Sequence, residues 1–193
     1  RLKILTENNN NLIISKTILE KSTLLVQAYV EARNEVLEGL YDKIKDRFVE
    51  LYKEMHGDDE IGFNATFSPQ DAGLDLSVEF YGRGYHPPHA MHSEGHQDSM
   101  GICLFLALSE HLNTGLIELV ILDDVVMSVD TGHRREFCNV LTKHFPNIQF
   151  IITTHDTTWA NQLKSAGVVP GKQMLKFSNW TVEKGPSIHY EAD

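Results

Sequence analysis

The first 56 residues contain no proline and a single glycine, Gly39, and their apolar residues recur at helical spacing. These residues stand seven apart in two runs that are separated by a step of four, which is typical of a stutter in a coiled coil. The two runs are Leu5, Leu12, Leu19 and Val26, and then Val30, Leu37, Ile44 and Leu51. The second apolar position of each seven-residue repeat is regularly occupied by apolar residues only in the later half of this segment. We predict one long helix over residues 1–56, either a coiled-coil arm or an amphipathic helix packed on a globular core.

Residues 57–193 alternate between strand and helix patterns. The strand patterns cover residues 61–67, 74–80, 117–122, 148–153 and 174–183, the helix patterns cover 97–112, 131–144 and 156–165, and a loop covers 82–93. Segment 74–80 alternates apolar and polar residues, as in a half-buried antiparallel strand, whereas 117–122 and 148–153 are continuously apolar, as in central parallel strands. Strand–helix–strand alternation predicts an α/β fold with a mainly parallel sheet and right-handed crossovers.

Composition and charge narrow the class of protein. The chain has 193 residues, 41% of them apolar, and a formal net charge of −10 from 17 basic and 27 acidic residues. This composition is typical of a globular protein, and the acidic balance argues against binding nucleic acid over the whole surface. No apolar run is long enough to span a membrane. Cys103 and Cys138 are too few for a disulfide framework, which favours a reducing, cytoplasmic compartment. Because the chain begins at Arg1 and lacks a signal pattern, we expect it to be a piece of a longer protein.

The most informative segment runs from Leu119 to Asp124, where a buried strand pattern ends in two adjacent carboxylates. Acids at the carboxyl end of a parallel strand lie where ligands bind in open α/β sheets. In nucleotide hydrolases the first such acid holds the Mg²⁺ shell, and the second orients or deprotonates the attacking water. The next strand pattern ends in Thr153-Thr154-His155-Asp156. Since both strands end at the same sheet edge, His155 could reach a terminal phosphate there.

A second candidate phosphate site precedes the helix pattern at 97–112. Ser93 is a good helix N-cap, and Gly95 allows a backbone to approach closely. The free N–H groups at a helix N-terminus bind anions, which makes this segment a candidate phosphate site. The alternative is an ordinary capping box, because serine before an acidic residue and a helix is common.

Together these segments resemble the C-terminal half of an ABC-type ATPase head, and within that class the SMC, RecF and RecN-like branch. Ser93-Glu94-Gly95-His96-Gln97 matches the ABC signature, Leu119–Asp124 matches Walker B, Ser128-Val129-Asp130 matches the D-loop, and His155 matches the switch histidine. The resemblance covers about residues 60–185. It implies the C-terminal lobe of such a head at residues 57–193, with a mainly parallel sheet flanked by helices, and a coiled-coil arm at residues 1–56.

The resemblance also implies a role for each matching residue. Asp123 would hold Mg²⁺ through water, Asp124 takes the place of the catalytic glutamate, and His155 would contact the γ-phosphate of ATP in its own protomer. Ser93, Glu94, Gly95, His96 and Gln97 would bind the ATP of the opposite protomer, so that two heads enclose two nucleotides. Ser128 and Asp130 would act across that interface.

Three features depart from the family pattern. The usual Gly-Gly of the signature is Glu94-Gly95, which brings a carboxylate close to the expected triphosphate. Asp124 is one methylene shorter than glutamate, and a displacement of about 1 Å can lower a rate on the order of a hundredfold, which predicts slow hydrolysis. The phosphate-binding loop Gly-x4-Gly-Lys-Ser/Thr is missing from the sequence: residues 167–173 are one residue short, end in Gln173 and follow a helix pattern, so a turn is predicted there. The resemblance places Walker A in an N-terminal lobe beyond the coiled coil.

The function implied by the resemblance is binding and slow hydrolysis of ATP with Mg²⁺ between two dimerised heads. In this branch that activity is coupled to DNA binding, in DNA maintenance and repair or in anti-phage defence such as Lamassu, towards which the altered signature and the Asp-Asp pair point. The implied partners are the Walker A lobe of the same protein, a second head, DNA, and a nuclease effector or other accessory subunit, with no membrane. The protein would be cytoplasmic, or associated with the nucleoid in bacteria, and the lobe alone would be inactive.

Three alternatives stay open. A nucleotide-dependent structural clamp with little hydrolysis would keep the same fold. His86, His89, His92 and His96 lie within eleven residues and could bind a transition metal. A Toprim-like metal nuclease would use Asp123, Asp124 and Asp130, although that fold requires Asp-x-Asp and an earlier strand ending in glutamate, and neither is evident in the sequence.

Overall fold

The computed structural model describes residues 2–57, 60, 62–70, 73–112 and 118–190. The chain divides into two compact units, Arg1–Lys43 and Ile44–Asp193. The first helix, α1, spans Leu2–His56, so its last turns, from Ile44 onwards, belong to the second unit. The predicted long helix therefore forms over the predicted residues. None of the described helices is long and apolar enough to cross a membrane.

The first unit consists of the part of α1 that ends at Lys43. Among its described residues none is buried, and apolar side chains at the predicted repeat positions are exposed, such as Leu5 at 68% and Leu19 at 67%. Exposed apolar side chains at seven-residue spacing are what an unpaired coiled-coil seam presents. Pairing of this helix with a second helix stays a prediction.

The second unit contains the remaining helices and strands, with an antiparallel pair near its start and an antiparallel hairpin near its end. In chain order they are β1 (Asn64–Gln70), β2 (Gly73–Glu79), α2 (Pro88–Met91), α3 (Glu94–Leu112), β3 (Leu119–Asp123), α4 (Thr131–His144), β4 (Gln149–Thr153), α5 (Thr157–Ser165), a 3₁₀ turn (Gly171–Gln173), β5 (Leu175–Thr181) and β6 (Gly185–Tyr190). Sequence patterns predicted α4 over the same residues, whereas Ile61 and Ile117, the predicted first residues of two strands, lie outside the described residues.

Strands β3 and β4 pair in parallel, with Leu119 opposite Gln149 and Asp123 opposite Thr153. Helix α4 is the crossover between them, so the predicted strand–helix–strand unit is confirmed. The prediction of a mainly parallel sheet is wrong for the described residues, which form three two-stranded sheets, of which only β3–β4 is parallel. The reason is the length of the connections along the chain, because β1 and β2, like β5 and β6, are too close in sequence for the long crossover that parallel pairing requires.

Three further boundaries differ from the sequence prediction. Helix α3 begins at Glu94, three residues earlier than its apolar pattern, because Ser93 precedes it as a cap. The predicted loop at 82–93 includes α2, and the terminal strand pattern at 174–183 is the first strand of the hairpin β5–β6. Gly167, at φ +73°, follows α5, and the 3₁₀ turn at 171–173 precedes β5, so this segment is the turn that was predicted and not a phosphate-binding loop.

The core of the second unit is built on one face of the last turns of α1. Phe48 and Tyr52 are fully buried, and the Tyr52 ring centroid lies 4.0 Å from that of Phe63. The other fully buried large side chains include Leu51, Met55, Met100, Leu106, Leu122, Phe137, Leu141 and Trp159. Cys103 and Cys138 are both buried and free, and burial raises the pKa of the Cys138 thiol to about 11. Both thiols therefore stay protonated and act as small apolar groups in the core.

Candidate functional site

The carboxyl ends of β3 and β4 bring three of the predicted site residues together. The Asp123 carboxylate accepts a hydrogen bond from the Thr153 hydroxyl, and the Asp124 N–H donates to the Thr153 carbonyl at 3.0 Å. Nδ1 of His155 lies 2.9 Å from both carboxylate oxygens of Asp124. The Asp124 and His155 side chains are 43% and 71% exposed. Parallel pairing thus produces an accessible edge at which two carboxylates and an imidazole meet.

The segment that leaves β3 has an unusual backbone. Asp124 and Val126 have φ angles of +51° and +63°. Aspartate is one of the residues that tolerate this left-handed conformation, but a β-branched valine there is a genuine outlier. The loop that begins at the candidate catalytic carboxylate is therefore held in a strained conformation.

Arg134 on α4 is a site residue that sequence reasoning missed. Its side chain is buried, its guanidinium donates hydrogen bonds to backbone carbonyls of residues 126–129, and it pairs with Asp156 at 2.6 Å. A signal was present in the sequence, because Arg134 lies three and seven residues before Phe137 and Leu141, on the apolar face of the helix. A cation in that position needs buried partners.

The predicted D-loop residue Asp130 caps α4. Its carboxylate accepts hydrogen bonds from the N–H groups of Gly132 at 2.9 Å and His133 at 3.1 Å, and it pairs with the His133 ring. Burial alone would favour the protonated form, but the hydrogen bonds from the His133 backbone and ring hold the pKa of Asp130 below its usual range. The Asp130 carboxylate is thus a charged helix cap. Its oxygens are occupied by these hydrogen bonds, which argues against the metal-ligand role that the nuclease alternative gives it.

The predicted signature segment contacts the D-loop directly. Ser93 Oγ lies 2.6 Å from Nδ1 of His96 and accepts from the His96 N–H at 3.4 Å, while the Gln97 amide donates to the His92 carbonyl at 2.9 Å. A Cβ on Gly95 would lie 2.5 Å from the Ser128 carbonyl oxygen. The close backbone approach predicted for Gly95 is therefore made with this chain's own D-loop.

Exposed Glu94 opens α3, and the cap by Ser93 agrees with the simpler capping interpretation. The structure gives both features, a capped helix N-terminus and a tight backbone contact. The predicted phosphate-binding roles of residues 93–97 stay predictions.

A cavity of about 460 Å³ lies beside Asp124, between α3 and β3. Its lining is mostly apolar and includes Asp98, Phe105, Ile121 and Met127. None of its described lining residues is basic. The walls that this chain supplies therefore cannot balance the charge of a triphosphate.

Four imidazoles meet behind the signature segment, and we call His56, His92, His96 and His133 the histidine cluster. His56 is 3% exposed, and its ring centroid lies 3.9 Å from that of His133 and 4.9 Å from that of His96. Among the described residues, neither nitrogen of the His56 ring has a hydrogen-bond partner. Burial, together with the neighbouring histidines, lowers the pKa of His56 to about 3, so this imidazole is neutral at pH 7.

Buried Glu60 connects two members of the cluster. Its Oε1 lies 3.2 Å from Nδ1 of His92 and 3.4 Å from Nε2 of His96. Burial lowers the pKa of His92, while the Glu60 charge opposes that shift. Within the part of the chain that the structure describes, no group of three His, Cys, Asp or Glu side chains is placed to hold a metal ion. The transition-metal alternative for His86, His89, His92 and His96 therefore has no structural support.

Comparison with protein families gives one match. The sequence model of the family described as "AAA domain, putative AbiEii toxin, Type IV TA system" matches residues 26–158, which is well over half of the chain. None of the curated proteins matches the chain.

Comparison with solved structures shows a mixed α/β fold similar to SMC ATPase heads. One match is a structure described as "Structural biochemistry of ATP-driven dimerization and DNA stimulated activation of SMC ATPases". Its TM-score is 0.61 at 13% identity, and the match covers 82% of this chain and 89% of the other chain. The Smc head domain with a coiled coil and joint from Pyrococcus yayanosii has a TM-score of 0.62 at 13% identity, with coverage of 86% and 30%. The SMC head domain from Thermotoga maritima has a TM-score of 0.53 at 16% identity, with coverage of 84% and 52%.

At these identities the likenesses establish the fold alone and say nothing about function. The chain spans 30% and 52% of the lengths of the last two proteins.

Replacing Gly95 by alanine should destabilise the protein, because the new Cβ would lie 2.5 Å from a backbone oxygen of the D-loop. We expect a loss of about 1–3 kcal/mol in the free energy of unfolding, as for overpacking elsewhere. The matched control is Gly101→Ala in the same helix, where a Cβ meets nothing within 4 Å and the change should stabilise by up to about 1 kcal/mol. Urea unfolding measures both, and equal effects would contradict the tight contact.

The neutral His56 predicts a pH-dependent stability. Its pKa is about 3 in the folded chain, against about 6.5 in an unfolded one, so the unfolded state binds an extra proton between those values. The contribution of the neutral His56 ring to the free energy of unfolding is complete above about pH 6.5. It is lost as the pH falls towards 3, and the free energy of unfolding then decreases by at most about 1.4 kcal/mol per pH unit.

The test is His56→Phe, which keeps an aromatic ring and removes the titration. Denaturant midpoints at pH 7 and pH 5 should lie closer together in this variant than in the parent. The exposed control His189→Phe should keep the parental difference. If His56→Phe also kept it, the buried neutral imidazole would not be its source.

Proposed function

The chain belongs to the AAA-domain family and has the fold of an SMC ATPase head, and from this premise we propose that it is the C-terminal lobe of an SMC-like ATPase. It would supply Walker B, the signature, the D-loop and the switch histidine to an ATP site that a lobe with a phosphate-binding loop completes. The observation that carries this proposal is the sheet edge where Asp123 ends β3, Asp124 follows it, and His155 lies just after β4.

Asp123 fits the role of a Mg²⁺ ligand. Mg²⁺ bound with nucleotide usually keeps several waters and is held by one or two protein carboxylates and the phosphates. Asp123 offers one such carboxylate at an exposed strand end, and the Thr153 hydroxyl fixes it by a hydrogen bond. The ion would neutralise the charge that develops on the phosphates.

Asp124 and His155 would act on water and on the terminal phosphate. Asp124 stands next to the metal-binding carboxylate, where it could orient the attacking water, and the exposed His155 ring could donate to a phosphate oxygen. In the structure these two side chains hydrogen-bond each other instead. Nδ1 of His155 is engaged in this bond, so donation to a phosphate oxygen would come from Nε2 of the ring.

This same pairing favours a second candidate function, a nucleotide-dependent clamp that dimerises with little hydrolysis. A carboxylate that is shared with an imidazole and is one methylene shorter than glutamate is a poorly placed base. Slow hydrolysis and a long-lived closed dimer are the expected behaviour in either case.

Exposed apolar side chains support the proposal that another lobe packs on this part of the chain. Ile121 of β3 and Ile151 of β4 are 56% and 46% exposed on the parallel pair, and Phe105 of α3 is 44% exposed. Central parallel strands are normally covered on both faces. A lobe packed here would cover these side chains and bring the cations that the cavity beside Asp124 lacks.

The remaining expectations concern partners. A second head would approach the signature residues 93–97, where Ser93 and Glu94 are exposed at the start of α3. Coupling to DNA fits the fold, since one structural neighbour is described by DNA stimulated activation. The family description names a toxin and a Type IV TA system, which supports a role in anti-phage defence over one in general DNA maintenance. A nuclease or other accessory subunit belongs to the same proposal.

Asp124→Asn in the full-length protein tests the catalytic assignment. We expect turnover to fall by about 100-fold, because asparagine keeps the shape of the side chain but removes the charge and the general base, while ATP still binds. Steady-state phosphate release and nucleotide affinity measure the two effects. The control is Asp46→Asn, an exposed carboxylate beside Lys45 that should leave both unchanged.

Unchanged turnover in Asp124→Asn would contradict its catalytic role. A parent that binds ATP and dimerises but releases almost no phosphate would identify the clamp. A parent that does not bind ATP would contradict both candidates.

A further inference from the structure

One buried guanidinium organises the loop between the candidate catalytic acid and the D-loop aspartate. Nε of Arg134 donates to the carbonyl oxygens of Val126 at 3.0 Å and Val129 at 2.7 Å. One terminal nitrogen donates to the Met127 carbonyl at 3.0 Å, and the other pairs with Asp156 at 2.6 Å. The Arg134 residue is 8% exposed, so these bonds form largely out of water.

The loop that Arg134 holds is strained at its start. Asp124 and Val126 both have positive φ angles, and Val126 is β-branched and 4% exposed. Such conformations cost of order 1–3 kcal/mol each and persist only where the surroundings fix them. Arg134 binds the carbonyl of the strained valine itself, which also accepts from the Val129 N–H at 3.2 Å, so Arg134 is one of the groups that fix this backbone.

The bond from Arg134 to Asp156 reaches the segment that follows β4, on the other side of the site. Asp156 follows His155, and its carboxylate also caps α5 through the N–H groups of Thr158 at 2.7 Å and Trp159 at 3.2 Å. The hydrogen bond from Arg134 holds the pKa of Asp156 below its usual range, so the pair is ionic. Arg134 therefore joins the loop after β3 to the turn after β4.

We propose that Arg134 is a positioning residue for ATP hydrolysis, which sets Asp124 and His155 in one geometry by bonding the loop 126–129 and Asp156 at once. The proposal rests on the proposed function of the sheet edge. Arginine suits the task because its planar guanidinium sends donors in several fixed directions, whereas a lysine ammonium is a single point charge on a flexible stem. Neither the guanidinium nor its partners need touch the nucleotide.

The test is Arg134→Lys in the full-length protein, with Arg135→Lys as the matched control. Arg135 is the next residue of the same helix and is exposed. We expect Arg134→Lys to lower kcat by about ten-fold or more, as for a slightly misplaced catalytic group, with the KM for ATP and the ATP affinity within about two-fold of the parent. Arg135→Lys should change neither.

Several outcomes would overturn the proposal. Unchanged kcat in a folded Arg134→Lys protein is one. A fall in kcat that is matched by an equal loss of ATP affinity is another, because it would indicate general loss of structure. If Arg134→Lys does not fold, Asp156→Asn decides: this variant keeps the helix-capping oxygen and weakens the bond to Arg134. It should lower kcat with ATP affinity retained, and unchanged kcat would again overturn the role.

Failure of the proposed function can be told apart from failure of this inference. A parent that hydrolyses no ATP would contradict the proposed hydrolytic function. Hydrogen exchange at the amides of residues 124–129 then tests the positioning directly. Faster exchange there in Arg134→Lys than in Arg135→Lys supports it, and equal exchange overturns it.

Discussion

The parallel pairing of β3 with β4 is the constraint on which the rest of the site depends. Its register sets Asp123 opposite Thr153 at the last position of both strands, so the chain leaves the sheet twice at the same edge. Asp124 and His155 meet because Asp124 comes directly after β3 and His155 comes two residues after the end of β4. A slip of one residue would turn every side chain of a strand to the other face and would separate these groups.

Sequence patterns predicted this unit because its elements are fixed locally. Continuous apolar runs marked β3 and β4, and the helix pattern at 131–144 has the observed bounds of α4, where the structure shows Asp130 as the cap. Arg134 and Glu60 were missed because their roles consist of contacts outside their own segments, with the preceding loop and Asp156 for Arg134 and with His92 and His96 for Glu60. The mainly parallel sheet was wrong because short connections on either side of the unit form hairpins, and residue patterns do not show which strands lie beside each other.

Two tight contacts join the end of α1, the signature segment and the D-loop into one body. Gly95 lies against the Ser128 carbonyl, and the ring of His56 packs on those of His96 and His133. Close-packed interiors transmit displacement, since few voids are available to absorb it. The segments that would face a second head are therefore fixed to the last turn of the long helix.

Ser93 and its neighbours are proposed to complete the ATP site of a second head. The direct test is ATP-dependent dimerisation of the full-length protein, measured by size-exclusion chromatography with light scattering, in which Ser93→Arg is compared with Ser93→Ala. Both variants remove the hydroxyl cap, but only arginine adds bulk and charge at the expected phosphate contact. Ser93→Arg should stay monomeric with ATP, whereas Ser93→Ala should still dimerise. An ATP-dependent dimer of Ser93→Arg as stable as that of Ser93→Ala would contradict the contact of Ser93 with the nucleotide of a second head.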